Sequence, residues 1–297
     1  MELYLKDGKF VGENEWIKII DGLKENIHTQ DKKKLKSSIL SAVKNRIPSE
    51  KFGIFFSGGI DSSTIAMICR NENADFICYT VGFDGSEDIK AAKKAADILG
   101  IELRIILLDM VKTECILSEI KKILNLGSVS DDKFTIVTEV VAAGVGTVIY
   151  AAANAAKDDN INLFFSGLGS EEIFGGYDRH MESEDVNEEC WNGLRRMWKR
   201  DLIRDYTLSQ KMKFRILTPY LDRNVIVDAM SMPGSTKIKG DIKKAILREI
   251  SEDLGMHKEI SGRPKKAAQY GSRVNKAIEH LAKKNGFKYK QDYLRSL

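Results

Sequence analysis

The chain has 297 residues, a length that allows one or two domains and a large core. With 43% hydrophobic and 30% charged residues it has the balance of a globular protein, and a net charge of +4 is too small to indicate nucleic acid as a partner. Four scattered cysteines without a C-x-x-C pair argue against zinc and a disulfide framework. The N-terminus has no secretory pattern and no apolar run of membrane-spanning length is evident, so we expect a cytoplasmic protein with no membrane association.

The first fifty residues predict a hairpin followed by two helices. The Asp-Gly pair at residues 7–8, between apolar flanks, is typical of a tight hairpin turn. Apolar residues recur at helical spacing over residues 13–28 and again over residues 35–46. We therefore predict a short hairpin and helix extension over residues 1–33, followed by a main domain over residues 34–297.

A strand, a glycine turn and a helix follow one another from residue 53 onward. The apolar run at 53–56 predicts a buried parallel strand, and the Ser-Gly-Gly turn at 57–59 leads into an amphipathic helix. Such a turn binds anions through backbone N–H groups and the helix dipole, and glycines allow close approach to phosphate. Asp61 beside it suggests Mg²⁺, which takes oxygens from carboxylate and phosphate together. The simpler alternative is an ordinary turn with Asp61 or Ser57 as the N-cap.

Two further apolar runs, at residues 76–81 and 103–108, predict strands on either side of a helix at 87–99. This alternation is typical of right-handed βαβ units, so the predicted fold is α/β, with a parallel sheet sandwiched by helices and a helical C-terminal part. Ligands in such sheets bind at the carboxyl ends of the strands. Backbone groups near Val81 could therefore bind an adenine edge, although an ordinary strand-end turn fits equally well.

A second strand and glycine-rich turn occupies residues 163–177, which read L-F-F-S-G-L-G-S-E-E-I-F-G-G-Y. Glu171 and Glu172 fall in the first turn of the helix that follows, where the helix dipole stabilises carboxylates. Because this turn follows a buried strand as the first glycine turn does, we favour a Mg²⁺-binding carboxylate here over a purely structural role.

These motifs resemble those of the asparagine synthetase family, which belongs to the PP-loop ATP pyrophosphatase superfamily with its adenine nucleotide alpha hydrolase-like fold. The string S-G-G-I-D-S-S resembles the superfamily's pyrophosphate-binding loop, and S-G-L-G-S-E-E-I-F-G-G-Y is similar to a signature particular to the family. Segments at residues 218–222, 243–248 and 263–266 resemble further family motifs in the same order. The resemblance covers about residues 35–280.

The resemblance implies an ATP- and Mg²⁺-dependent ligase that adenylates a substrate carboxylate, releases pyrophosphate and lets ammonia or an amine form an amide. The matching nucleotide-binding positions are Phe55, Ser57, Gly58, Gly59, Asp61, Ser62, Val81, Ser166 and Gly167. The matching metal ligands are Asp61 and Glu171, with Glu171 where the family usually has Asp. The matching catalytic positions are Lys265, at the reacting phosphate, and Asp201 with Arg204 near the substrate, one helical turn apart.

Two departures from the family pattern concern the acceptor. Leu168 stands where asparagine synthetases have Glu, and Leu217 stands where the family has Arg. A leucine side chain neither carries charge nor accepts a hydrogen bond, so both changes argue against aspartate as the substrate. They also keep open a non-catalytic or partner-dependent nucleotide-binding homologue. A tRNA-modifying adenylating enzyme is a further alternative, which the lack of cysteine pairs disfavours.

Glutamine-dependent family members carry an N-terminal amidotransferase domain whose nucleophile is a cysteine directly after the initiator Met. Position 2 is Glu2 here, and only about fifty residues precede the first glycine turn, so we expect no such domain. The nitrogen source would then be free ammonia, an amine on the substrate, or a separate glutaminase subunit. A homodimer is compatible with the sequence.

Overall fold

The computed structural model describes residues 2–127, 133–264 and 268–297, with the backbone alone for residues 133–137. The strands are β1 (Leu5–Lys6), β2 (Lys9–Phe10), β3 (Phe52–Phe55), β4 (Phe76–Phe83), β5 (Leu103–Leu108), β6 (Leu163–Phe165) and β7 (Arg215–Leu217). The α-helices are α1 (Glu13–Lys24), α2 (Lys32–Lys44), α3 (Ile60–Asn71), α4 (Glu87–Leu99), α5 (Met110–Leu124), α6 (Lys133–Ala155), α7 (Ser170–Phe174), α8 (Asp178–Met181), α9 (Val186–Met197), α10 (Ile203–Met212), α11 (Arg223–Ser231), α12 (Gly234–Lys237), α13 (Ala245–Asp253), α14 (Lys258–Ser261), α15 (Ala268–Gly271), α16 (Val274–Lys284) and α17 (Lys290–Ser296). Short 3₁₀ segments cover Ala156–Asp159 and Pro219–Leu221, and a π-helical segment covers Trp198–Leu202.

Five parallel strands form the central sheet in the order β5-β4-β3-β6-β7. Along the chain, the sheet grows from β3 to one side through β4 and β5, and then to the other side through β6 and β7. The strand order therefore reverses at β3, and ligands of open α/β sheets bind at such a switch point. The predicted α/β fold with a parallel sheet is confirmed.

Helices cover both faces of this sheet, because the strands present apolar side chains to both sides. One apolar cluster joins the sheet to α1, α2, α3, α4, α9 and α11, and a second joins it to α5, α6, α10, α16 and α17. The helical C-terminal part, from α11 onward, contributes to both clusters. The sheet is thus sandwiched, and its carboxyl-terminal edge is the end at which the loops collect.

The N-terminal hairpin is present as predicted, with positive φ at Asp7 (51°) and Gly8 (75°) in its turn. The first helix ends at Lys24, four residues earlier than predicted. The second begins at Lys32, because the Asp31 side chain accepts hydrogen bonds from the backbone of the first helical turn. Trp16, on α1, is fully buried in the main apolar cluster, so the segment preceding the predicted domain boundary packs into the core.

Residues Thr138–Asp159 form a helical stretch that is long and apolar enough to cross a membrane by length and composition. The expectation that no apolar run reaches this length is therefore wrong. The stretch owes its hydropathy to a high content of Ala and Val, and 61% of its most apolar window is buried inside the protein. It packs against α5, α10 and β4, as a core helix does.

Candidate active site

The turn between β3 and α3 is shaped to receive an anion. Gly58 has a φ of 65°, and a Cβ there would lie 2.5 Å from the carbonyl carbon of Ala91, so the turn packs directly on α4. Gly59 is the N-cap of α3, and no side chain of the described residues caps this helix. The N–H groups of its first turn therefore remain available to a ligand. This geometry favours the anion-binding interpretation over an N-cap at Asp61 or Ser57.

Arg263 holds the anion-binding turn in place. Its Nη1 donates a hydrogen bond to the carbonyl oxygen of Ser57 at 2.9 Å, and its Nη2 forms an ion pair with Asp88 on α4 at 3.0 Å. Within the turn, the Ser57 hydroxyl accepts a long bond from the Gly59 N–H, and the Ser62 hydroxyl accepts one from the Ser57 N–H, each at 3.4 Å. The turn is thus supported from outside by a cation rather than by its own short bonds.

The second glycine turn, between β6 and α7, lies directly against the first. A Cβ on Gly167 would lie 3.0 Å from the Cβ of Asp61, which leaves no room for a larger residue between the two turns. Gly169 has a φ of 94°, a conformation that glycine adopts without strain. The chain therefore reaches α7 in a tight turn, which places Glu171 on the same side of the sheet edge as Asp61.

Lys244 joins the carboxylates of the two turns. Its Nζ lies 2.7 and 2.6 Å from the two carboxylate oxygens of Asp61 and also donates to Glu171 and, at 3.1 Å, to the Ser170 hydroxyl. The side chain is fully buried. Burial lowers the pKa of Lys244, whereas the Asp61 carboxylate favours the charged form. One cation therefore already sits between the two residues that the sequence assigns to Mg²⁺.

The ammonium group that Asp61 and Glu171 share shows that both carboxylates can bind one cation. Their oxygens converge on one positive charge, which is the arrangement that a small hard cation needs. The described residues contain no group of three or more metal-ligating side chains. Mg²⁺ is commonly held by one or two carboxylates together with substrate phosphates, so this pair fits a metal that arrives with a nucleotide.

A second charged cluster begins at the neighbouring glutamate. Glu172 accepts hydrogen bonds from the Arg200 guanidinium and, at 2.9 Å, from the Tyr177 hydroxyl. Arg200 also donates to Asp201 at 2.7 Å, and Arg204 donates to the other Asp201 oxygen at 3.2 Å. Asp201 and Arg204 therefore lie on one face as predicted, one turn apart.

Burial and pairing set the charges in this cluster. Burial works against the charge on Arg200, but Asp201 and Glu172 outweigh it and raise the pKa of that guanidinium. Burial likewise opposes the charge on Arg204, where Asp205 and Asp201 raise the pKa. Asp201 stands in the π-helical segment, a distortion that often marks a functional site. The cluster is a fixed array of charges close to Glu171.

The residues assigned to the adenosine lie at the carboxyl ends of neighbouring strands. Phe55 pairs with Tyr79 across the parallel strands β3 and β4, so Val81 lies level with Ser57, at the start of the Ser-Gly-Gly turn. Ser166 follows β6, and its hydroxyl accepts a bond from the Leu168 N–H at 3.2 Å. The Phe55 ring itself stacks on Phe164 with a centroid distance of 4.5 Å, so part of this side chain belongs to the core.

A cavity of about 580 Å³ opens beside Glu171. Its lining residues are Glu87, Glu171, Gly176, Tyr177, Asp178, Lys243, Tyr270, Gly271, Arg273 and Lys276. Its lining holds three basic and three acidic side chains, and Lys243 donates to Asp178 at 2.5 Å, so the cavity offers charges of both signs to a polar ligand. It borders one of the two carboxylates, Glu171.

The two leucines that depart from the family pattern are partly or fully in the core. Leu168 packs against the main apolar cluster, and Leu217 is 7% exposed within it. The Leu217 carbonyl accepts a hydrogen bond from the Ser166 N–H at 2.9 Å, so its backbone supports the second glycine turn. An apolar residue at each position is therefore consistent with its packing.

Sequence reasoning assigned no role to three residues that the structure brings to the site: Lys244, Arg263 and Arg200. The first two stand within motif segments, so the signal for them was present. Arg200 lies beside Asp201 in a helix that has many charged residues, so the sequence does not distinguish it from its neighbours. Lys265, the predicted catalytic lysine, lies outside the described residues.

Comparison with known proteins agrees with the motifs. The family profile described as Asparagine synthase matches residues 34–215 and 180–288. A Methanocaldococcus jannaschii protein assigned by name as a glutamine-hydrolyzing asparagine synthetase is 28% identical over 97% of this chain and 58% of its own length. The human asparagine synthetase (glutamine-hydrolyzing) is 29% identical over 78% of this chain and 42% of its own length. The chain thus spans about half the length of these relatives.

Among solved structures, an NMN synthetase from Francisella tularensis matches 90% of this chain and 93% of its own with a TM-score of 0.43 and 14% identity. An NH₃-dependent NAD synthetase from Campylobacter jejuni covers the same shares with a TM-score of 0.40 and 13% identity. On the family profile, which spans most of its length, this chain belongs to the asparagine synthase family.

Proposed function

We propose that the chain is an ATP-dependent amide ligase that forms an acyl-adenylate from a small carboxylate. The observation that supports this most is the meeting of Asp61 and Glu171 on one cation, directly beside a helix N-terminus that no side chain in the described part of the chain caps. An anion-binding turn and a cation-binding carboxylate pair together suit a polyphosphate. Relatives named asparagine synthetase support the same class of reaction.

In the first step a carboxylate oxygen of the substrate attacks the α phosphorus of ATP, and pyrophosphate leaves. The N–H groups in the first turn of α3 and the positive end of that helix stabilise the negative charge that builds on the leaving group. Arg263 keeps the turn in position through its bond to Ser57. Lys265, by its place in the family motif, would meet the reacting phosphate.

Asp61 and Glu171 would hold Mg²⁺ together with phosphate oxygens. The metal, when bound, would supply positive charge to the departing pyrophosphate. In the second step ammonia or an amine attacks the acyl carbon, and AMP leaves with one oxygen that came from the carboxylate. Positioning and electrostatics carry both steps, as in other phosphoryl transfers.

The acceptor would enter the cavity beside Glu171, where Lys276 could pair with its carboxylate. Asp201 and Arg204 would shape the charge near it. The apolar side chains of Leu168 and Leu217 argue against aspartate as the acceptor. Ammonia, a substrate amine or a separate glutaminase would supply the nitrogen. The protein would assemble as a homodimer. Its four cysteines form no disulfide, which is consistent with a location in the reducing cytoplasm.

The test is pyrophosphate release from ATP and Mg²⁺, screened over amino acids and other small carboxylates with and without ammonium. We expect release that depends on one class of carboxylate and is lost in Asp61→Asn. Lys33→Met, which removes an exposed lysine in the first turn of α2, is the control. ATP binding without carboxylate-dependent release would favour the non-catalytic alternative, and release dependent on added tRNA would favour the RNA-modifying one.

A further inference from the structure

Lys244 stands where a metal between Asp61 and Glu171 would stand. We propose that Lys244 and Mg²⁺ exclude each other at these two carboxylates, so that the metal binds only together with a polyphosphate that takes up the displaced ammonium. This inference rests on the proposed function, because it describes how the same site would load its nucleotide. In this proposal the Lys244 ammonium occupies the metal position until a polyphosphate binds.

The contacts leave no room for a second cation. Lys244 Nζ is within 2.7 Å of both Asp61 oxygens and also contacts Glu171. Its stem is confined as well, since a Cβ on Gly176 would lie 2.5 Å from Lys244 Cε. A divalent ion entering between the carboxylates would meet a positive charge in a buried site, where like-charge repulsion is strong. One of the two cations must therefore leave.

The balance of charges explains why the metal needs phosphate in order to bind. Asp61 and Glu171 together carry a charge of −2, whereas the Lys244 ammonium and a divalent metal together would carry +3. Metal entry alone would leave Lys244 fully buried and without its carboxylate partners, an arrangement that proteins avoid. A phosphate bound at the adjacent α3 N-terminus offers the displaced ammonium a new anionic partner.

The backbone at Lys244 is held in an unusual conformation. Its φ is +58° and its ψ is 34°, in the left-handed region that non-glycine residues rarely adopt. Such a conformation persists only where surrounding contacts enforce it. Here the Lys244 carbonyl accepts a hydrogen bond from the Arg248 N–H at 3.0 Å, so the backbone is fixed at the start of α13 independently of the side-chain contacts with the two carboxylates.

The experiment measures metal binding rather than turnover. Mn²⁺ replaces Mg²⁺, and free Mn²⁺ is counted by its electron paramagnetic resonance signal, with and without inorganic pyrophosphate. The Mn²⁺ that pyrophosphate binds in solution is measured without protein and subtracted. For the unaltered protein we expect weak Mn²⁺ binding alone and at least about ten-fold tighter binding with pyrophosphate, a coupling of ordinary size for linked sites. For Lys244→Met we expect Mn²⁺ alone to bind about ten-fold more tightly than to the unaltered protein.

Lys237→Met is the matched control, because Lys237 is also fully buried but lies on α12 with its Nζ 3.2 Å from the Met230 sulfur. Its Mn²⁺ binding should equal that of the unaltered protein. If Lys244→Met gains no affinity for Mn²⁺, or if the unaltered protein binds Mn²⁺ equally well without pyrophosphate, the proposal is wrong. The second comparison needs no variant, so it can refute the proposal even if Lys244→Met does not fold.

Thermal unfolding gives an independent measurement. Lys244→Met leaves the two carboxylates to repel each other, so its melting temperature should fall without metal and recover with Mg²⁺. A melting temperature of the variant that Mg²⁺ leaves unchanged would overturn the proposal. These results can be told apart from a failure of the proposed function. A protein that binds Mn²⁺ more tightly with pyrophosphate but adenylates no carboxylate would support the exclusion of metal by Lys244 and contradict only the ligase activity.

Discussion

At the residue scale, the site depends on how a few charges are shared. Asp61 and Glu171 come from different turns, yet both contact Lys244, while the neighbouring Glu172 contacts Arg200. Adjacent glutamates thus connect two charged clusters, one at the nucleotide turn and one at the predicted acceptor residues. A substitution at Glu171 should therefore affect nucleotide and metal binding, and a substitution at Glu172 should affect the acceptor.

We predict that Glu171→Gln and Glu172→Gln differ in their effects. The first removes a metal ligand and should raise the Mg²⁺ concentration needed for pyrophosphate release, with an activity loss of about 10²-fold or more, the usual cost of a lost electrostatic contact. The second removes the partner of Arg200 and should change acceptor KM more than Mg²⁺ dependence. Steady-state titrations of Mg²⁺ and acceptor measure both, and identical Mg²⁺ profiles for the two variants would contradict the assignment.

His28 should make stability depend on pH. Hydrogen bonds to the Thr29 carbonyl and to Asp228 raise its pKa, while Lys34, 2.9 Å from the ring, opposes protonation. Because the pKa is higher in the folded state, protonated His28 stabilises the folded protein. This stabilisation is complete below the unfolded-state pKa of about 6.5 and is lost as pH rises through the folded-state pKa. His28→Asn should therefore lose more stability at pH 5.5 than at pH 8.5, by less than about 1 kcal/mol. Urea unfolding at both pH values tests this, and an equal loss would refute it.

At the element scale, the strand–turn–helix units could be predicted because each carries its own signal. The apolar run at β3, the glycines after it and the helical spacing of α3 fix the anion site locally. The order β5-β4-β3-β6-β7 could not be derived in this way, since it depends on contacts between distant segments. For the same reason the meeting of Lys244 with Asp61 was missed, because 183 positions separate them.

The close approach of the first glycine turn to α4 leads to a prediction with a built-in control. Gly58 and Gly85 have nearly equal φ values of 65° and 64°, but only a Cβ on Gly58 would meet another segment, at 2.5 Å from Ala91. Gly85→Ala should lose about 1 kcal/mol of stability from backbone strain alone. Gly58→Ala should lose about 3 kcal/mol, since overpacking adds to the strain, and should also weaken ATP binding. Urea unfolding and nucleotide titration measure both, and equal losses would rule out the packing argument.

At the scale of the whole molecule, the first helix and the sheet share one core. Trp16 has no exposed surface and donates a hydrogen bond from Nε1 to the Leu194 carbonyl at 2.8 Å. Glu2 accepts bonds from Arg46 and from the backbone of Thr218, which ties the start of the chain to the end of β7. The predicted boundary at residue 33 marks the start of the family match rather than an interruption of the packing.

Unfolding of the whole chain should therefore depend on α1. We expect Trp16→Ala to lower the free energy of unfolding by about 3–5 kcal/mol, because it removes a fully buried aromatic side chain. Ile27→Ala, at a position that is 43% exposed, should change it by less than about 0.5 kcal/mol. Urea unfolding followed by circular dichroism compares them. A Trp16→Ala protein that loses only local structure would show residues 1–33 to be a separate unit.

The central claim is that a substrate carboxylate attacks the α phosphorus of ATP. The most direct measurement uses a carboxylate labelled with ¹⁸O, drawn from the class that supports pyrophosphate release, and examines the AMP by mass spectrometry. The account predicts that the AMP carries one ¹⁸O atom, because the oxygen that attacks phosphorus stays with AMP when the amine attacks the acyl carbon. Unlabelled AMP, or ADP in its place, would contradict it.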